Sequence, residues 1–451
     1  MQYPSGQTLE RLAMDLSIRR VTSRQLVEIC LARIAAPGGE GGRTFLKVSA
    51  DTALAMADFV DTMRGHGAAV GPYAGIPISV KDLFDVAGEV TTAGSLVLCG
   101  AAPAERDATA VARLRAAGFI VIGRTNMTEF AFSGLGVNPH FDTPRNPWER
   151  GANRIPGGSS SGAAVSVADG MAFAGLGTDT GGSCRIPAAM CGVVGFKPTA
   201  RRVPTAGAYP LSLTLDSIGP LANSVACCAI VDAVLAAELP TRFAKASIAG
   251  LRLAVPTSYV LDEMGAEVAA SFERALRLLA QAGARIEHIP FSELSELPDI
   301  NRLGGFSAAE AYAHHRDRIA SDSSRYDPRV LSRILRGREQ GAADYLVLRR
   351  KRVEFIERTA PVMAEFDALL MPTTPTIAPR LEELTADDSY SRINALALRN
   401  SSLVNFIDGC AISIPCHGPG EAPVGLTLFA GGGNDRRLLS VAAAAEDCLV
   451  K

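Results

Sequence analysis

The stretch "GAAVSVADGMAFAGLGTDTGGSCRIP" runs from Gly162 to Pro187. Its first part, 162–170, has the small and apolar composition of a buried helix closed by Asp169-Gly170. The next part, 171–182, is an apolar run that reads as a buried strand and ends in a glycine-rich turn. Helix, buried strand and glycine turn in immediate succession are the working unit of an α/β protein. Such proteins gather their chemistry where strands run out into loops.

The same texture extends outward. "GIPISVKD" (75–82) reads as a strand closed by a lysine. "ATAVARLRAAG" (108–118) predicts a helix stopped by Gly118, and "FIVIGRTN" (119–126) the strand after it. "LRLAVP" (251–256) and "FDALLMPTTP" (366–375) read as further buried strands. The first 65 or so residues read as helical, with Thr22 and Gln25 at capping-box spacing and Leu26, Val27, Cys30, Leu31 and Ile34 on one stripe. Residues 300–360 read as a polar helical cover. The expected class is α/β, a central mixed sheet surrounded by helices. The expected organisation is a single domain over 1–451: an N-terminal helical segment (1–65), a core (70–225) and the helical cover (300–360).

Composition narrows the function. The 451 residues suffice for a large core, and 47% are hydrophobic. A net charge of -2 gives no footprint for nucleic acid or an anionic membrane. Arg349-Arg350-Lys351-Arg352 reads as the wet face of a helix whose apolar stripe is Leu346, Val353 and Ile356. No run is long enough for a membrane span, and the opening residues lack the pattern of a signal peptide. Nine cysteines with no CxxC pair point to a reducing compartment, so a cytoplasmic protein is expected. The six histidines show no HExxH spacing, His314-His315 reads as a surface pair, and no phosphate or dinucleotide loop occurs. Neither metal nor cofactor is expected.

Three features sit at strand-to-loop transitions. Lys81 closes an apolar strand and is either a snorkelling lysine or a desolvated one with a lowered pKa, able to act as a base. Gly157-Gly158-Ser159-Ser160-Ser161-Gly162 reads as a linker or a rigid helix start; the Ala/Val-rich segment after it favours rigidity. It also matches G-x-S-x-G around Ser160, but the polar, Pro156-broken residues before it are wrong for a nucleophile elbow. Thr180-Gly181-Gly182-Ser183 is either a structural turn or a nest of N–H groups that holds an oxyanion beside a serine nucleophile.

Taken together, "GIPISVKD", "GRTNMTEFAFSG", "TPRNPW", "PGGSSSGAA", "GTDTGGSCRIPAAMCGVVGFKPT" and "SIGPLANSV" resemble the amidase signature family, Ser-Ser-Lys hydrolases, from about residue 8 to 445. The resemblance implies Lys81 as base, Ser159 on a cis peptide as proton relay, and Ser183 as nucleophile, with the family's serine spacing of 24 residues preserved. It also implies an oxyanion hole from the N–H groups of Thr180, Gly181, Gly182 and Ser183. Asp179 and Arg185 are expected to brace that turn, and Cys184 to face the core. By the same carry-over, Met127, Phe132, Ser133 and Gly134 would line the acyl pocket.

The implied activity is hydrolysis of a carboxylic amide through an acyl-enzyme, with a small-molecule amide as partner, an aryl or alkyl amide first. A homodimer is an expectation of the family alone. Two other readings stand: the glutaminase component of a glutamine-dependent tRNA amidotransferase (its A subunit), or a specialised hydrolase of indoleacetamide, urea-derivative or carbamate substrates. Against the first, Ala200-Arg201-Arg202 follows "KPT" where the amidotransferase component usually has Tyr-Gly-Arg.

Overall fold

The computed structural model describes residues 6–240 and 244–449. Eleven strands form one sheet: β1 (Phe45–Val48), β2 (Pro77–Lys81), β3 (Ile120–Thr125), β4 (Ala174–Asp179), β5 (Val194–Lys197), β6 (Ser217–Ala222), β7 (Arg252–Pro256), β8 (Arg285–Ile289), β9 (Ala368–Pro372), β10 (Cys410–Pro415) and β11 (Gly425–Ala430). Their order is β1-β3-β2-β4-β6-β5-β10-β11-β9-β7-β8. The sheet is mixed: β2 runs parallel to β3 and β4, and β7 to β8 and β9, while the remaining pairs are antiparallel. Helices cover the sheet, so β2, β3, β4, β6 and β9 are buried along their whole lengths. Continuous apolar strands are what a doubly covered sheet requires.

The five strands expected from composition are β2, β3, β4, β7 and β9. The sequence reading passed over β5, β6, β10 and β11, the antiparallel centre, the edge strand β8, and β1 inside the helical N-terminal segment. The capping box is present: Thr22 Oγ1 accepts from Gln25 N–H at 3.1 Å, and Gln25 Oε1 from Thr22 N–H at 3.0 Å. Four helices matter for the site: α1 (Ser161–Ala168), α2 (Arg185–Cys191), α3 (Pro328–Leu335) and α4 (Asp387–Phe406).

Two surface readings are corrected. His315 is buried, its Nδ1 3.0 Å from the Tyr326 hydroxyl and its ring against Phe130; only His314 is exposed. In the helix Ala342–Ala364 the inward stripe is Leu348, Arg352, Phe355, Thr359 and Met363, whereas Leu346 and Val353 face outward. Arg352 is buried because it has partners there: the Phe406 carbonyl at 2.8 Å and Asp408 Oδ1 at 2.6 Å. Composition shows a helix's charge, but its rotation is set by what it packs against.

Candidate active site

Lys81 and Thr178 come from the carboxyl ends of two neighbouring parallel strands, β2 and β4. That shared direction brings Lys81 Nζ within 2.9 Å of Thr178 Oγ1. The Lys81 ammonium also donates to Ser159 Oγ at 2.7 Å. Lys81 is wholly buried and forms no ion pair among the described residues. Two neutral hydroxyls repay little of the lost hydration, so burial pushes its pKa down to about 7. The desolvated reading of Lys81 is the one the fold realises. The next residue, Asp82, is pinned by buried Arg124, whose Nε donates to Asp82 Oδ1 at 2.6 Å.

The three serines differ in their contacts. Ser159 follows a cis peptide from Gly158, and its carbonyl accepts from Thr128 N–H at 3.1 Å. Ser160 donates its N–H to the Ser183 carbonyl at 3.2 Å and its hydroxyl to the Thr178 carbonyl at 3.3 Å. Ser161 starts α1 and donates to the Asn126 carbonyl at 3.4 Å. Ser160 thus ties the Ser159 loop to the β4 turn by backbone. A Cβ at Gly177 would lie 2.8 Å from Ser160 Oγ, so only glycine permits this approach.

The turn after β4 is clamped from several sides. Asp179 Oδ1 accepts from Gly182 N–H at 2.8 Å, and Oδ2 from Cys184 N–H at 3.1 Å. Arg185 grips the same carboxylate with two bonds of 3.0 and 2.9 Å, both groups fully buried. Asn405 of α4 donates to the Asp179 carbonyl at 2.9 Å. Arg185 holds the Asp179 carboxyl far below the usual range against the opposing effect of burial. Ser401 Oγ donates to the Gly181 carbonyl at 2.7 Å, and Thr180 Oγ1 to Asp216 Oδ1 at 2.5 Å. Burial pushes the Asp216 carboxyl up to about 6.

The N–H of Gly182 is therefore spent on Asp179, which narrows the expected set of four donors. Among the described residues the N–H groups of Thr180, Gly181 and Ser183 make no hydrogen bond, nor does the Ser183 hydroxyl. Cys184 points away, its Sγ 3.6 Å from the Gly219 carbonyl, and burial pushes its thiol well up. A nucleophilic thiolate is disfavoured there.

Thr180, Gly181 and Ser183 open onto a cavity of about 590 Å³. Of the four expected pocket residues, Phe132 and Ser133 line it. Met127 and Gly134 do not, and that expectation is corrected. Met127 is buried in the core, its carbonyl taken by Asn138 at 2.8 Å, and Gly134 serves as backbone, with its N–H on Asn394 Oδ1 at 2.9 Å. The apolar lining comes from Phe306 in the expected helical cover and from segments the sequence reading left unassigned: Leu211, Leu215, Leu398, Leu403 and Phe406. Arg336, Arg392 and Arg399 line the same cavity.

Comparison with known proteins shows the family. A sequence model of the amidase family matches residues 25–439. The chain belongs to the amidase signature family. This member is 38% identical, over 97% of its own length and 95% of the relative's, to a 2-amino-5-chloromuconic acid deaminase of Comamonas testosteroni. It is also 34% identical to the A subunit of glutamyl-tRNA(Gln) amidotransferase from Moorella thermoacetica, covering 97% of this chain and 96% of that one. The crystal structure of an amidase superposes with a TM-score of 0.88 at 30% identity, over 98% of this chain and 100% of the other. As a family member it is a hydrolase of C–N bonds.

The sequence reading missed Thr178, Ser401, Asn405 and Asp216. Thr178 carried a usable signal, since it sits at the end of the strand beside Lys81. Ser401 and Asn405 carried none, because they arrive from a helix more than 200 residues downstream of the turn they hold.

Proposed function

We propose that this protein is an amidase that converts a carboxylic amide to carboxylate and ammonia or amine through an acyl-enzyme on Ser183. The observation that carries the proposal is Lys81, buried, unpaired with any acid among the described residues, and 2.7 Å from Ser159 Oγ. Near neutral pH it holds a substantial neutral fraction, able to take a proton.

In this reading Ser183 Oγ attacks the carbonyl carbon while its proton passes through Ser159 to Lys81. The carbonyl oxygen becomes an oxyanion facing the open N–H groups of Thr180, Gly181 and Ser183. Lys81 returns the proton through Ser159 to the nitrogen, the C–N bond breaks, and amine leaves. A water then attacks the ester, giving its proton along the same path, and Ser183 is released with the carboxylate. Asp179 and Arg185 hold the turn rigid throughout. In the free protein the Ser183 hydroxyl has no partner among the described residues; substrate closes the relay. The buried free thiols support a cytoplasmic setting.

The deaminase relative supports release of ammonia from a small acid. A second reading, glutamine-dependent service within a tRNA amidotransferase, is favoured by the 34% identity to its Moorella component. The purified chain decides between them on a panel of amides, anilides, carbamates and esters, with and without glutamine. Turnover by the chain alone supports the proposal. Inactivity until partner proteins and glutamine are supplied rejects it.

A further inference from the structure

The cavity in front of Ser183 has an asymmetric wall. On α4 the lining residues Arg392, Ala395, Leu396, Arg399, Ser402 and Leu403 follow one another at helical spacing, so they form one face. That face carries Arg392 and Arg399 with Ala395 and Leu396 between them, and Arg336, just beyond α3, lines the same cavity. The acid lining the same cavity is Glu263.

Their partners separate the three arginines. Arg399 is satisfied: it donates to the Asp262 carbonyl at 2.6 Å and to Asn400 Oδ1 at 3.0 Å, and lies 3.9 Å from Glu263. Arg336 makes one hydrogen bond, to the Arg302 carbonyl at 3.1 Å, and no ion pair among the described residues. Arg392 makes neither hydrogen bond nor ion pair among the described residues, although Asp388 lies one turn away on the same helix. Nearby Asp387 is already committed to Arg329, at 2.8 Å. Arg392 and Arg336 are exposed to solvent, line the cavity that holds Ser183, and take no ion pair from the described residues.

We propose, resting on the amidase reading above, that the substrate carries a carboxylate at the end remote from the scissile C–N bond, and that Arg392 and Arg336 receive it. A guanidinium presents paired N–H donors that match a carboxylate in plane and spacing. The apolar residues that line the same cavity suit a short hydrocarbon spacer. The substrate class is then a half-amide of a small dicarboxylic acid, in place of the neutral aryl or alkyl amide expected from sequence.

The test pairs turnover with binding. Ammonia release by the full chain is measured from glutaramate, the monoamide of glutaric acid, and from uncharged pentanamide. Glutarate binding to the Ser183→Ala protein is measured by calorimetry. The expected result is a kcat/KM at least about tenfold higher for glutaramate, a preference of ~1.4 kcal/mol. Arg392→Gln and Arg336→Gln should each reduce that preference through KM, Arg392→Lys should restore most of it, and added salt should erode it. The same Gln substitutions should weaken glutarate binding. Equal kcat/KM for the two amides, or glutarate binding that is absent or indifferent to the Gln substitutions, overturns the proposal. Arginine-dependent glutarate binding without hydrolysis of any amide would instead reject the amidase reading and leave the carboxylate site standing.

Discussion

Lys81 is poised by subtraction: it loses water and gains only hydroxyl partners, from Ser159 and Thr178. With its pKa near 7, kcat/KM should rise as pH increases from about 6 to 8, with an acid limb at about 7. An activity maximum near pH ~5 would contradict a lysine base. Lys81→Ala should lower kcat by about 10²–10⁴-fold, the range for a positioned acid–base group. Thr178→Val should move the acid limb, because one of the two groups that hold the amine would be gone; a pH–rate profile reads this directly. The roles proposed for Lys81 and Ser159 were legible only as a set, through resemblance. Each residue alone had a bland reading; the burial of Lys81 supports the proposed one.

At the scale of the element, the β4 turn is held by charge in a place where nothing exposed can relax. Asp179→Asn leaves Arg185 buried and uncompensated, so a loss of about 3–5 kcal/mol in unfolding free energy is expected, measured by denaturant titration. Gly182 has φ +127°, and a Cβ there would stand 2.1 Å from Ser401 Oγ. Gly182→Ala should therefore displace the turn from α4 and remove activity more completely than it lowers Tm. The turn itself was visible in sequence as Thr-Gly-Gly-Ser. Asp179 and Arg185 were expected as its braces through the resemblance, but Ser401 and Asn405 were not, since they belong to a helix with no motif. The proposed donor set is narrowed for a related reason: Asp179 accepts the Gly182 N–H, a contact that spacing does not reveal.

Across the whole molecule, a buried lysine at a pKa of about 7 links stability to pH. Its ordinary value is 10.5, so between about 7 and 10.5 the unfolded chain binds more protons than the folded one. Stability should rise with pH over that window relative to Lys81→Met, which lacks the titration; parallel denaturant midpoints at about pH 7 and about pH 9 check this. The sequence conveyed the α/β class because β2, β3, β4, β7 and β9 are apolar runs between helices. The antiparallel centre escaped because β5 and β6 are separated by a long excursion, and β10 and β11 are joined through 416–424, a loop longer than the two-residue turns that flag a hairpin in sequence. His315 and Arg352 were misread as surface for the same reason, each being buried against residues from other elements.

In the proposed reaction Ser183 carries the acyl group and Ser159 the proton. Quenched single-turnover reactions with an amide substrate, read by peptide mass spectrometry, test this most directly. The predicted result is an acyl adduct on Ser183, absent in Ser183→Ala and formed more slowly in Ser159→Ala. An adduct on Ser160 or Cys184, or Ser160→Ala as the most damaging serine substitution, would contradict it.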